Sequence, residues 1–366
     1  MKESDILIVG AGPAGSAAAI QIANRDPDLA RRTVVIDKAI FPRPKLCGGG
    51  ITPFADQALK RLDVTLDVPA LPIHKAMCVY KEKTFTIRVK NLFRVVRREE
   101  FDTALTRSAR AHGVEVCEGE PLLDFQQDLQ GVTVQTRHGS YRSKVVIGAD
   151  GANSVVRQKL GLARWDRISR LMEILTPVDP AQTPEFVENM AVFDFTLLAR
   201  RVQGYYWDFP SLKNGDAVMN RGIFDSRVHP DKPRADLKPA FADSLSRRSV
   251  ELDGLQLRGH PERWYDPGAR HSAPRILLAG DAAGTEPLLG EGISYALNSG
   301  RMAADSAVDA LRKGDFSFSD YDRRVAWSAQ GIRLRLLRAI AGLVYGDRGD
   351  WFYRVGWTMG RIMFGN

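Results

Sequence analysis

The chain has 366 residues, 44% of them hydrophobic and 26% charged, with a formal net charge of +8. That length suits two domains or one interleaved pair, and that balance excludes a disordered or fibrous chain. Three scattered cysteines, Cys47, Cys78 and Cys117, exclude a disulfide framework and fit a reducing cytoplasm, and no apolar run is long enough to span a bilayer. The histidines show no paired ligand spacing, so no metal site is expected. The arginine pairs are scattered and carry no nucleic-acid motif, so no nucleic-acid partner is expected either.

The first element is a short apolar run at residues 6–9, which reads as a strand buried on both faces. It begins within a few residues of Met1, which leaves no room for a signal peptide and points to a cytoplasmic protein. Gly10-x-Gly12-x-x-Gly15 follows and opens a helix of small residues. Gly10 frees the turn out of the strand, Gly12 lets backbone approach a pyrophosphate, and Gly15 lets the helix pack on the sheet. Pro13 sits in the first helical turn, where its missing N–H costs little, and Ala14 continues that turn. The helix start offers free N–H groups and a partial positive charge to an anion. A second strand, residues 33–37, ends in Asp37 with Lys38 beside it. An acid about twenty residues past the glycines is placed to hydrogen-bond a ribose hydroxyl. These features together predict a dinucleotide site.

Further along, Pro42 and Pro44 forbid helix, while Gly48, Gly49 and Gly50 permit close approach of a flat ligand. Thr52 and Pro53 start a helix that runs to about residue 62. Residues 75–93 alternate as antiparallel strands, a helix from about 98 ends at Gly113, and short strands fill 114–143. The strand at 144–149 leads into Asp150-Gly151. From 163 to 265 the pattern is β-rich, with strands at 190–198, 204–209 and 217–224 and a helix over 230–251. A buried strand then reaches Gly280-Asp281, and Gly290-Glu291-Gly292-Ile293 opens a long helix. Residues 321–364 read as helix with a break at 346–350.

Asp281 stands at a strand's carboxyl end, where an acid reaches a ribitol or ribose hydroxyl; the alternative is a helix N-cap. Backbone N–H groups from Gly290 to Ile293, aimed at N1 and O2 of an isoalloxazine, suit the negative charge of a reduced flavin. Taken with Asp150-Gly151 and the opening glycines, these stretches resemble the p-hydroxybenzoate-hydroxylase-like superfamily of FAD enzymes over nearly the whole chain. The resemblance implies one FAD in an extended pose and a mixed α/β (α+β) fold. A Rossmann-like FAD-binding domain (1–67, 94–162 and 266–312) would be interleaved with an antiparallel β-sheet substrate domain (68–93 and 163–265), followed by a helical C-terminal region (313–366). It also implies that Arg98 faces the cofactor; the alternative is a surface arginine in a charged helical turn.

Two stretches narrow the resemblance. Pro44-Lys-Leu-Cys47-Gly48-Gly49 is similar to the Pro-x-x-Cys-Gly-Gly of the geranylgeranyl reductase family, and Tyr205-x-Trp207-x-Phe209-Pro210 to its Tyr-x-Trp-x-Phe-Pro. The family implies that Tyr205, Trp207 and Phe209 wall a tunnel for an apolar or lipid substrate, since a polyprene offers surface but no hydrogen bonds. Alternate residues on one strand face are equally the pattern of core aromatics. Cys47 is implied to lie near the flavin as the candidate catalytic residue, tuning its potential or relaying a proton, against the alternative of a small packing residue. Where the family carries Gly-x-Gly after the Phe-Pro, this chain has Asn220-Arg221-Gly222.

The implied activity is reduction of C=C bonds by hydride from reduced flavin, with NADPH, ferredoxin or another electron donor. The alternative within the superfamily is an oxygen-using monooxygenase, a hydroxylase or less closely a halogenase, acting on an aromatic group of a small molecule or a partner protein. A third reading is an electron-transfer flavoprotein. The aromatics and arginines of 333–364 read either as a cap over the FAD domain or as a peripheral membrane contact, which a lipid substrate favours.

Overall fold

Two eight-stranded sheets organise the computed structural model, which describes residues 1–162 and 167–347. In the first sheet Lys2–Val9 lies between Thr33–Asp37 and Ser140–Gly148, both parallel to it. Ile276–Leu278 and Glu115–Glu118 extend the parallel set on either side. Residues 6–9 are thus covered on both faces and at most 5% exposed, which is why the run carries no polar alternation. The hairpin of Leu122–Gln127 and Val132–Thr136 joins the Ser140–Gly148 strand.

Helix Pro13–Arg25 packs between this sheet and helix Ile293–Lys313, and every residue from Pro13 to Ala23 is buried. Only small side chains allow such close layers. A side chain placed on Gly15 would run into the Gly10 carbonyl, and one on Gly300 into the carbonyl of Ala14. The alanine-rich stretch is therefore a packing requirement as well as a helix-forming one.

The second sheet runs Arg258–Arg263, Ile168–Pro177, Asp216–Asp225, Gly204–Lys213, Met190–Asp194, Ala70–Tyr80, Lys83–Val96, Gly50–Ile51. Its pairings are antiparallel except that of Met190–Asp194 with Ala70–Tyr80. Its strands come from residues 50–96 and 168–263, so the chain leaves the first sheet twice and returns. Alternation along Gly204–Lys213 divides two cores. Tyr205, Trp207 and Phe209 join Phe224, Ile73 and Val95 on one face. Tyr206 on the other face packs with Phe241, Leu237 and Leu245 of helix Leu237–Ser246.

Several predicted elements are shorter than the pattern suggested. Helix occupies only Leu237–Ser246 of the predicted 230–251, because Pro230 and Pro233 cannot continue a helical ladder and Asp236 accepts Lys238 N–H as its N-cap. The strand predicted over 190–198 stops at Asp194, whose carboxylate accepts Thr196 N–H and opens a 3-10 turn, Phe195–Arg200. The C-terminal helical run is broken at Ser328, which caps Ala329–Val344 by accepting Gly331 N–H. The predicted helix beyond the 346–350 break lies outside the described residues.

The helix crossing yields a direct test. Gly300→Ala drives a methyl into the Ala14 carbonyl and is expected to cost about 1–3 kcal/mol of stability. Urea denaturation of the variant checks this, and a midpoint equal to that of the parent overturns it.

Candidate active site

The glycine turn is held from below by one carboxylate. Asp37, at the carboxyl end of its strand, accepts Ala11 N–H at 2.7 Å on one oxygen and Ala39 N–H at 2.8 Å on the other. Gly10, at φ 103°, leaves the strand in a conformation that disfavours any side chain, and its N–H donates to the Ile36 carbonyl. Helix Pro13–Arg25 has no side-chain cap, so its first N–H groups have no capping oxygen. Around Gly12 there is room. A Cβ there would meet only Arg43 Nη2, at 3.6 Å.

Arg43 and Arg98 converge on Asp102, which is fully buried. Arg98 grips it through Nε at 2.8 Å and Nη2 at 2.9 Å, and Arg43 adds a bond at 3.1 Å. Two cations on one anion leave a net positive charge beside the glycine turn. Arg98 is buried, so the surface reading of it does not hold. Burial works against its charge, but Asp102 and the neighbouring Cys47 sulfur outweigh this and raise its pKa.

The 44–49 loop packs edge-on against the second sheet. Cys47 is clamped at both ends of its peptide unit: its N–H donates to Glu173 Oε2 at 3.0 Å, and its carbonyl accepts Asn220 Nδ2–H at 2.9 Å. Gly49 N–H donates to its sulfur at 3.3 Å. Gly48 is required for contact: a Cβ there would lie 2.9 Å from the Phe209 ring. Arg221, which departs from the family's Gly-x-Gly, points to the opposite face of the sheet. It donates there to Thr176 and to the buried Asp208, which Arg248 also grips. Asn220 occupies the inner face, and Gly222 lies beneath the Trp207 indole, which a side chain there would strike.

At the other end, helix Ile293–Lys313 also begins without a side-chain cap. The turn before it is held by Glu286, which accepts N–H bonds from Leu288, Leu289 and Glu291. Glu262 backs the same turn: a Cβ on Gly292 would lie 2.9 Å from its Oε1 and one on Gly290 3.1 Å from its Oε2. Burial, with Asp281 and Glu286 nearby, raises the Glu262 carboxyl well above the usual range, so it is held neutral. Lys45 donates to His260, and enclosure pulls the lysine down to about 8 and the imidazole to about 3.

Arg43, Lys45, Cys47, Arg98, His260, Glu262 and the two glycine turns line one cavity of about 710 Å³, a size within the range of small-molecule sites. Every sequence-predicted candidate lines it except Gly15, which lies behind the turn against Gly10. Asp150 lines it with one oxygen accepting Val155 and Val156 N–H and the other buried without a partner. Residues not foreseen in the lining include Arg43, Lys45, His260 and Glu262, together with Phe93, Phe193 and Phe224. His260 and Glu262 share one face of the edge strand Arg258–Arg263, a two-residue spacing that carried a signal only once that strand was placed. Among the described residues no cluster of His, Cys, Asp and Glu suits a metal ion.

An FAD fits these residues. One end of the cavity is basic and open at Gly12, two uncapped helix starts face inward, an orphaned Asp150 oxygen awaits a donor, and the far wall is aromatic.

The family model described as "FAD binding domain" matches residues 3–304. The chain is 28% identical over 337 residues to digeranylgeranylglycerophospholipid reductase 3 of Methanosphaera stadtmanae, covering 87% of this chain and 80% of that one. It is 29% identical over 356 residues to geranylgeranyl diphosphate reductase of Rhodobacter capsulatus, covering 93% and 84%. In fold it resembles the crystal structure of a geranylgeranyl bacteriochlorophyll reductase-like protein from Thermoplasma acidophilum, with a TM-score of 0.76 at 23% identity, covering 93% of this chain and 88% of that one.

The Cys47 clamp has a pH dependence. Burial raises the Glu173 carboxyl from 4.5 to about 7, against the pull of Arg97 and the Cys47 N–H. The folded protein thus holds this proton more tightly than the unfolded chain. Its stabilising contribution is complete below pH 4.5 and is lost as pH rises through about 7. Glu173→Gln, which cannot ionise, is expected to flatten part of that decline. Denaturation midpoints across this window check it, and an unaltered slope overturns it.

Proposed function

The chain belongs to the geranylgeranyl reductase family of FAD-dependent oxidoreductases, and from that premise we propose that it reduces C=C bonds of an isoprenoid-type substrate held against the aromatic wall. The observation that carries this reading is the continuity of the cavity: the glycine-turn end and the rings of Phe93, Phe193, Tyr205, Trp207, Phe209 and Phe224 line the same space. A saturated or unsaturated polyprene gains stabilisation from burial at about 25 cal/mol per Å² and needs no polar partner. Rings packed at 5.1–6.4 Å between centroids form a stiff wall for it.

The cofactor's phosphates are assigned to the Gly12 turn and Arg43, its adenosine ribose to Asp37, and its ring system to the space between Cys47-Gly48 and Gly290–Ile293. Reduced FAD supplies the hydride. The proton that completes addition to the alkene is assigned to the Cys47 thiol, which solvent then reprotonates. Arg98 lies beside the sulfur and hydrogen-bonds to it. Lys45 and His260 line the same space and hold a further exchangeable proton between them.

We assign the outer face of helix Ala329–Val344 to an anionic membrane surface. Ile332, Leu336 and Leu343 form an exposed stripe, Trp327 stands exposed just before it, and exposed Arg323 and Arg324 flank it. No described helix is long and apolar enough to cross a membrane. Sedimentation with phosphatidylglycerol vesicles is expected to carry the protein down, and Leu336→Glu to weaken this severalfold; equal recovery of the two proteins in the pellet overturns the assignment.

For the reaction, dithionite-reduced protein mixed anaerobically with geranylgeranyl compounds is expected to reoxidise its flavin and release saturated product. Cys47→Ala is expected to retain FAD and to slow that turnover about 10²-fold. Reoxidation only by oxygen, with hydroxylated product, would replace this reading by the monooxygenase one.

A further inference from the structure

The aromatic wall contains two kinds of ring. Phe93, Phe193, Phe209 and Phe224 end in carbon, whereas Tyr205 and Trp207 end in polar hydrogens. An apolar chain cannot satisfy an O–H or an indole N–H, and a buried polar hydrogen left alone is costly. Here both are satisfied by the protein itself, in opposite directions. Tyr205 Oη–H donates to the Leu289 carbonyl at 2.5 Å. Trp207 Nε1–H donates to Asn220 Oδ1 at 3.1 Å, and Asn220 Nδ2–H passes the tether to the Cys47 carbonyl at 2.9 Å.

The two anchor points have a shared property. Leu289 immediately precedes Gly290, and Cys47 immediately precedes Gly48. Residues 44–49 and 286–292 contain no helix or strand; Glu286 ties the second within itself and Gly49 N–H bonds the Cys47 sulfur in the first, but their placement relative to each other depends on bonds from elsewhere. Two residues of one strand, two positions apart, thus reach the two irregular segments on either side of the assigned ring site. The strand is rigid enough to act as a gauge, being paired along its whole length with Asp216–Asp225 and, at Tyr206 to Asp208, also with Met190–Asp194. Tyr345, just past the last described helix, adds a second bond to the 286–292 segment through the Leu288 carbonyl at 2.5 Å.

We propose that Tyr205, and Trp207 through Asn220, are positioning residues for the flavin: their polar tips set the separation and orientation of the two segments that flank its ring. This rests on the siting of the ring between Cys47-Gly48 and Gly290–Ile293. The wall then has two jobs on the same side chains, with ring faces for the substrate and polar tips for the cofactor loops. Loss of the tips loosens the flavin even when no substrate is present.

The test uses the full chain stripped of and titrated with FAD. Tyr205→Phe and Asn220→Ala each remove one tether, and Phe193→Leu trims a ring that packs on Tyr205 at 5.4 Å but leaves both tethering hydrogen bonds in place. The two tether variants are expected to weaken FAD binding about three- to tenfold, the range of a lost hydrogen bond. They are also expected to shift the visible band of bound flavin. Phe193→Leu is expected to leave both unchanged and to raise the KM for the isoprenoid. Tyr205→Phe deletes a single oxygen and keeps the ring, so it carries the test by itself if Asn220→Ala does not fold; apo-protein melting temperatures identify that case. Parental FAD affinity and spectrum in Tyr205→Phe overturn the proposal, as does an equal loss in Phe193→Leu. Gly12→Val separates the premise: it fills the turn assigned to the phosphates, and undiminished FAD binding by that variant overturns the siting itself.

Discussion

Backbone meeting backbone without side chains between is the constraint on which this molecule depends. Strand Lys2–Val9, the turn after it and helix Pro13–Arg25 lie so close to their neighbours that Gly10, Gly15 and Gly300 have no space for a methyl. The approach is a consequence of what must be bound. A pyrophosphate held by peptide N–H groups requires the helix start to be bare and near, and the alanines behind it let the whole helix sink against Ile293–Lys313. That second helix brings its own uncapped start, at Gly292, to the same cavity. Both ends of the site are therefore fixed by one helix crossing.

Around that frame the charges are segregated. Arg43 and Arg98 gather near the glycine turn and Asp281, Glu262 and Glu286 near Gly290, with Lys45 between the two groups, facing Asp281 and bonded to His260. Burying Asp102 with a single arginine would cancel its charge; with two arginines it becomes the means of keeping a cation next to the cavity without exposing it. On the acidic side burial keeps Glu262 neutral. The walls thereby offer an anion one end and an electron-accepting ring the other, and the aromatics beyond them exclude water.

Much of the frame was legible because its signals are local. A strand, three glycines and an acid after the next strand are a few dozen residues apart, and Thr52 with Pro53 announced a helix that begins where expected. The prolines at 230 and 233 are equally local signals, and they end the 230–251 helical pattern ahead of Leu237. Arg221 interrupts the family's motif without entering the site. Its one-residue offset from Asn220 places it on the other face of the strand, where Asp208 receives it, and a motif comparison carries no sense of face. His260, Glu262 and Glu173 left no local signal. Each sits on an ordinary β stretch, and its neighbours in the cavity come from residues 45, 281 and 47. Contacts across 126 and 215 positions bring Glu173 to Cys47 and His260 to Lys45, and that information is not contained in any short window of the sequence.

The interleaved path of the chain also orders events in time. The cavity takes Gly10 from one end of the sequence and Ile293 from near the other, with the aromatic wall threaded between them. A nascent chain therefore displays its phosphate turn long before the helix that closes the opposite side has been made. At about 5–20 residues per second, the interval is roughly a quarter of a minute to a minute. Through that interval the alanine-rich helix lacks the neighbour that buries its outer face, and the second sheet lacks its edge strand at Arg258–Arg263. The cavity is therefore complete only once residue 293 and the helix it opens have been made.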